Sequence, residues 1–283
     1  MTIELGQFGL WTSYRTIGEE NAGEAAQLAE RLGYGAIWLG GSPNPAQVTP
    51  LLAATERLVA ATGIVNIWQT EPHMAAAETA QLQADYPDRF LLGIGIGHPE
   101  ATSDYKHPLT AMRGYLDGLD RTQRPVPADA RCIAALGPKM LDLSRERSLG
   151  THPYFVSVDH TRFARERVGP GKLVAPEMAC VVDTDLPRAR ATAREYAKVY
   201  LGLSNYTNNL LRFGFTEQDI AAGGSDRLID VIVPHGTAEQ IAAAAHEHLA
   251  AGADHVCLQT VGVSGIPEQE WTALATALGL SSR

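Results

Sequence analysis

Short apolar runs alternate with longer amphipathic ones along the whole chain. That alternation constrains the fold more than any single motif, because repeated βα units around a parallel sheet leave this pattern. Eight runs read as strands: Gly6 to Trp11, Ala36 to Leu39, Gly63 to Trp68, Phe90 to Gly97, Cys132 to Leu136, His152 to Val156, Val174 to Val182 and His255 to Gln259. Between them lie helical patterns such as "NAGEAAQLAERLG", "MAAAETAQLQADYP" and "TAEQIAAAAHEHLAAG", several closed by the glycine expected just past a helix. Eight strands, each followed by a helix, predict an α/β fold of the (β/α)8 TIM-barrel type, one domain over residues 1–283. A doubly wound sheet is the alternative, but neither a dinucleotide loop nor a composition break divides the chain. The stretch 200–233 is too long for one connection and predicts a helical insertion between strands seven and eight.

"FLLGIGIGHPE" places glycine at 93, 95 and 97. The dinucleotide fingerprint needs a third glycine three places after the second, and counting reaches His98 or Glu100 instead. Alternate glycines on a strand leave one face bare, so another backbone or a flat ligand could approach closely.

A formal charge of −9 without a Lys/Arg cluster disfavours nucleic acid and anionic membranes as partners. The N-terminal residues carry no positive charge before Arg15, and no apolar run approaches the ~20 residues of a membrane span, so a cytoplasmic location is expected. Cys132, Cys180 and Cys257 lie in apolar stretches without Cys or His at ligand spacing and read as buried free thiols. No metal site is expected; "HEH" at 246–248 puts its histidines on different helix faces and reads as solvated surface.

Barrels bind ligands at the C-terminal ends of their strands. The residues there are Trp11, Leu39-Gly40-Gly41, Asn66-Ile67-Trp68, Gly97-His98, Leu136 to Lys139, and His152 with Tyr154. This set is poor in carboxylates and rich in glycine and aromatics, which suits holding a large planar cofactor better than acid/base hydrolysis. In "AALGPKMLDL", Gly137 supplies a turn and Pro138 a first helical position, so free backbone N–H groups and Lys139 could face a phosphate. An ordinary βα turn is the alternative there. His98 titrates near neutrality and could supply a proton or a hydrogen bond; a turn histidine beside Pro99 is the plainer reading.

"IWLGGSP", "DRFLLGIGIGHPE", "AALGPKMLDLS", "GTHPYFVSVDHT", "APEMACVVDTD" and "YLGLSNYTNNLLRFGFTEQD" together resemble the luciferase-like monooxygenase superfamily, within it the actinobacterial branch of deazaflavin (coenzyme F420) dependent oxidoreductases. The resemblance implies a barrel holding a flavin or deazaflavin over a non-prolyl cis peptide at the end of strand three, expected here at Asn66–Ile67. It also implies a phosphate on backbone amides after strand five, at Ala135, Leu136, Gly137, Pro138 and Lys139, and a ring near Gly97 and His98. Leu39, Gly40 and Gly41 complete the expected cofactor set, and Trp11, Trp68, His152 and Tyr154 the substrate pocket. The superfamily's sugar-phosphate dehydrogenases carry an Asp-His pair where this chain has Leu39-Gly40, and an acidic residue at His98, so sugar-phosphate oxidation is not implied. A homodimer is implied by resemblance alone.

The function expected is hydride transfer between coenzyme F420 and a small organic substrate, with His98 as the candidate catalytic residue. An FMN-dependent monooxygenase, or a non-catalytic cofactor-binding barrel, are the alternatives.

Overall fold

The computed structural model describes residues 3–100 and 105–281. Eleven strands are formed among them: β1 Phe8–Thr12, β2 Ala36–Leu39, β3 Val59–Thr62, β4 Val65–Asn66, β5 Phe90–Gly95, β6 Arg131–Ile133, β7 Gly150–Thr151, β8 Leu173–Val174, β9 Glu177–Val182, β10 His235–Gly236 and β11 Val256–Thr260. Their pairings are parallel, and the sheet runs from β11 through β1, β2, β3, β5, β6 and β7 to β8. The segment 173–182 closes the ring. Along one edge the Glu177 N–H donates to the Pro153 carbonyl; along the other Pro176 accepts from the Cys257 N–H. Further up the first edge, β10 takes over as the neighbour of β9. The result is a TIM barrel rather than an open doubly wound sheet.

The period-2 rule separates inside from outside. Trp38, Val59, Ala61, Leu91, Cys132, Ala175 and Cys257 pack together in the barrel interior. Their strand neighbours Ile37, Leu39, Ala60, Leu92 and Ile94 face outward, packed with Ala25, Leu51, Ala75 and Met112 of the surrounding helices. Proline in the first turn, where its missing N–H is no loss, opens the helices Pro72–Asp85, Pro108–Asp120 and Pro138–Arg147. Ser157, Asp185 and Thr237 cap others through their side chains.

Several elements depart from the sequence expectation. Strand six is Gly150–Thr151, not His152 to Val156, because Pro153 has no N–H for the ladder, and strand five ends at Ile133 rather than Leu136. Strand three is Val59–Thr62, its two alanines buried but a weak apolar signal; of the expected 63–68 only Val65–Asn66 is a strand, the short β4 paired with β5, after which the chain turns with the Gln69 and Thr70 N–H groups on the Asn66 carbonyl. The non-prolyl cis peptide accordingly lies at Gly63–Ile64, not Asn66–Ile67. Pro176 interrupts the run 174–182, and β10 was missed because two residues carry no periodicity. His248 is buried against Thr161 rather than solvated, its Nδ1 2.8 Å from the Thr161 hydroxyl; His246 is exposed. The stretch 200–233 contains the helices Ser204–Arg212, Glu217–Ile220 and Asp226–Ile232. The three cysteines are free and buried, as expected.

Candidate functional site

The glycine strand is built for two different neighbours. Gly93 faces the interior, where a methyl group would overlap the Thr62 carbonyl; its N–H and C=O both bond the Thr62 hydroxyl, at 2.9 and 2.8 Å. Gly95 makes room for Ile64, whose Cγ1 lies 2.5 Å from where a Cβ would sit. Gly97 has φ +65°, with Asn66 Nδ2 2.9 Å from its missing Cβ. The bare face is therefore filled largely by protein, and only Gly95 and Gly97 reach the cavity.

That cavity, of about 590 Å³, opens at the C-terminal ends of the strands. It is within the range of cofactor sites. Of the residues expected there, Trp11, Gly41, Asn66, Gly97, His98, Ala135, Leu136, Gly137, His152 and Tyr154 line it. Leu39, Gly40, Ile67, Trp68, Pro138 and Lys139 do not. Leu39 is in the outer core, Gly40 is covered by the Trp11 indole, and Trp68 turns its Nε1–H to the Ile96 carbonyl at 2.8 Å. Lys139 is exposed on the helix that Gly137 caps, and Met140 takes its place in the wall.

On the floor, His152 stacks on Trp38 with centroids 4.1 Å apart and planes 15° apart. Its Nδ1–H donates to the Ala175 carbonyl at 2.7 Å, which leaves Nε2 as a bare acceptor, buried and without a partner. Burial drives its pKa down to about 4, so the ring is neutral. The Trp11 Nε1–H is likewise buried and unpartnered beside Gly63. Two orphaned polar atoms in one pocket wall are what a ligand with complementary groups would satisfy.

At the rim, His98 lies 5.0 Å from the Tyr206 ring, and Asn205 Nδ2 reaches the Gly97 carbonyl at 3.2 Å. Burial lowers the His98 pKa, with Glu100 pulling the other way. Glu100 in turn accepts the Ser204 N–H at 2.9 Å, fixing this rim to the helix Ser204–Arg212.

At the far end, Gly137 opens the ten-residue helix Pro138–Arg147 with no side-chain cap, and a Cβ there would meet nothing within 4 Å. Arg212 lines the same cavity with a single 3.4 Å bond to Asn209, and its charge acts on His160, whose Nε2–H donates to Leu136 at 3.1 Å. Amides, helix dipole and guanidinium thus converge on one open space, an arrangement suited to a phosphate.

The luciferase-like monooxygenase family model matches residues 5–255. The chain belongs to this family. Among solved structures it is similar to an F420-dependent secondary alcohol dehydrogenase in complex with an F420-acetone adduct, at TM-score 0.76 and 15% identity over 99% of this chain and 100% of that one. It is also similar to the coenzyme F420 dependent tetrahydromethanopterin reductase from Methanopyrus kandleri, at TM-score 0.71 and 14% identity over 97% and 99% of the two chains. A third is the FMN-bound oxygenating constituent of 3,6-diketocamphane monooxygenase from Pseudomonas putida, at TM-score 0.71 and 13% identity over 99% and 98%.

In this luciferase-like barrel several lining residues escaped the sequence reading: Ile64, Tyr200, Tyr206, Asn205, Asn208, Asn209 and Arg212. Positions 205, 208, 209 and 212 follow helical spacing and form one polar stripe, a signal present in "SNYTNNLLR". Glu177 is the other omission: a carboxylate in an otherwise apolar strand, 1% exposed.

Proposed function

We propose that the protein is an oxidoreductase that transfers a hydride between coenzyme F420 and a small organic substrate, working as one barrel domain. The observation that carries the reading is the cavity's polarity along its length: an aromatic floor with orphaned hydrogen-bonding atoms at one end and the Gly137–Arg212 anion cradle at the other. This matches a planar ring joined to a phosphate-bearing tail. The cofactor supplies the hydride. Gly137 and Arg212 hold its phosphate, Ile64 and Trp11 support the ring, and the neutral His152 accepts a hydrogen bond from the floor. His98 is the proposed catalytic contact to substrate from the rim. An FMN-dependent monooxygenase is the second reading, favoured by the FMN-bound structure of the same fold.

Parallel titrations of purified protein with F420 and FMN, followed by fluorescence, decide between them. Tight binding of F420 alone is expected; preference for FMN promotes the second reading, and binding of neither removes both. Arg212→Ala is expected to weaken cofactor binding about 10- to 100-fold, the worth of one charge-assisted bond. Equal affinity in the variant would mean that the cradle holds no phosphate.

A further inference from the structure

Under the aromatic floor lies a hydrogen-bonded chain that cofactor binding does not use. Glu177 on β9 receives the Phe155 N–H on Oε2 at 3.1 Å, and its Oε1 is 3.5 Å from the Tyr196 hydroxyl. Tyr196 is 2.9 Å from the Tyr154 hydroxyl, and Tyr154 is 2.8 Å from the Tyr200 hydroxyl and 2.7 Å from Gln259 Oε1. Tyr154 and Tyr200 line the cavity; Glu177 does not.

The direction of the chain follows from who can donate. Gln259 Oε1 only accepts and lies 2.7 Å from the Tyr154 hydroxyl and 3.4 Å from that of Tyr196; Tyr154, the nearer, gives it its proton, and its own oxygen receives from Tyr196 and Tyr200. Tyr196 thus serves both states of Glu177: with its proton on Tyr154 it can accept one from the neutral carboxyl, and with its proton turned to Oε1 it donates to the carboxylate. A neutral carboxyl satisfies every member of this array, whereas a carboxylate draws the Tyr196 proton away from Tyr154.

We propose that Glu177 stores the proton that the pocket's chemistry consumes, and that Tyr196 and Tyr154 carry it to an anionic oxygen or nitrogen of the bound substrate. This rests on the hydride-transfer reading, in which the substrate gains an electron pair that must be protonated. The Glu177 O–H bond breaks as a Tyr196 O–H forms; the original Tyr196 proton passes to Tyr154; the Tyr154 proton swings from Gln259 to the substrate. Glu177 is left as a carboxylate, no electrons move along the chain, and water returns the proton between turnovers.

The groups facing Glu177 favour the stored state. They are Tyr154, Tyr196, Tyr200 and Tyr206, with the Cys180 and Cys257 thiols. Burial raises Glu177 to about 8, and the Phe155 N–H and Tyr196 hydroxyl do not offset it. Burial also raises the tyrosines, so they act as carriers and keep their own protons.

Infrared titration of the cofactor-free protein tests the store. A neutral-carboxyl C=O band present at pH 7 should fade as pH rises through about 8, be missing in Glu177→Gln, and titrate at a different pH in Tyr196→Phe. Absence of the band from the wild type at pH 7, or an unmoved midpoint in Tyr196→Phe, overturns the proposal. Delivery is read with reduced F420 and a panel of carbonyl compounds and imines. Glu177→Gln and Tyr154→Phe should each lose tenfold or more in kcat with KM kept, and wild-type kcat should fall above pH 8. Unchanged kcat in both variants also overturns it. A wild type that binds F420 but turns over no substrate counts against the hydride-transfer reading, while the infrared result still decides whether the proton is stored.

Discussion

Acidification from pH 7 to pH 4 is expected to unfold this protein. His152, His160, His248 and His255 are buried and held neutral, each with its pKa driven by burial down to about 4. In the unfolded chain the same rings titrate near 6.5, so between the two values the unfolded state binds more protons and stability falls as pH falls. Their contribution is complete above pH 6.5 and is lost progressively towards pH 4. At about 1.4 kcal/mol per pKa unit, each ring is worth on the order of 3.5 kcal/mol, and four together reach the whole stability of an ordinary domain. Glu177 works with the opposite sign. Its folded pKa of about 8 lies above the unfolded carboxylate value, so its contribution is full below about pH 4.5 and is lost as pH rises through 8. Urea midpoints between pH 4 and pH 9 should trace a dome with a steep acid limb. A flat profile from pH 7 to pH 5 would show that the histidines are hydrated. Glu177→Gln should flatten the alkaline limb and leave the acid limb in place.

Gly93→Ala should cost about 3 kcal/mol or more, at the upper end of overpacking penalties. The atom in the way is the Thr62 carbonyl oxygen, part of the β3 backbone, so relief requires β3 and β5 to separate and the Thr62 hydroxyl to give up its bonds to Gly93. The Gly63–Ile64 corner of the pocket would move with them. A lower urea midpoint at unchanged m-value, with loss of cofactor binding, is the expected result. Gly114→Ala supplies the contrast: it sits inside the helix Pro108–Asp120 with nothing within 4 Å of the added methyl, and should stabilise by about 0.5–1 kcal/mol. If Gly93→Ala were as well tolerated, the close approach of β3 and β5 would not be what fixes this glycine.

The barrel was legible because βα alternation is a long-range pattern that survives errors in single boundaries. Its errors fell where apolarity and pairing part company. Val59–Thr62 is a strand with two small alanines, whereas the more apolar "IVNIW" keeps only the two-residue β4 before it turns at Asn66. That slip of a few residues carried the cis peptide with it. Strand-end residues were found because topology alone places them at the mouth. Arg212, Tyr200 and Tyr206 come from outside the strand ends, on helices whose approach to the mouth is fixed by tertiary packing. Glu177 was masked by its neighbours: one charge in an apolar strand shows its partners only when Phe155, with φ +56°, turns its N–H inward.

The helix Ser204–Arg212 touches the site at two points, clamped to the His98 rim by Ser204 and Asn205 and presenting Arg212 to the proposed phosphate cradle. Nine residues therefore act as a single lever across the mouth. On the proposed function, a change in how a cofactor tail is gripped would tilt the wall that a substrate meets, so exchanging this one segment between related barrels should transplant cofactor choice and substrate choice together.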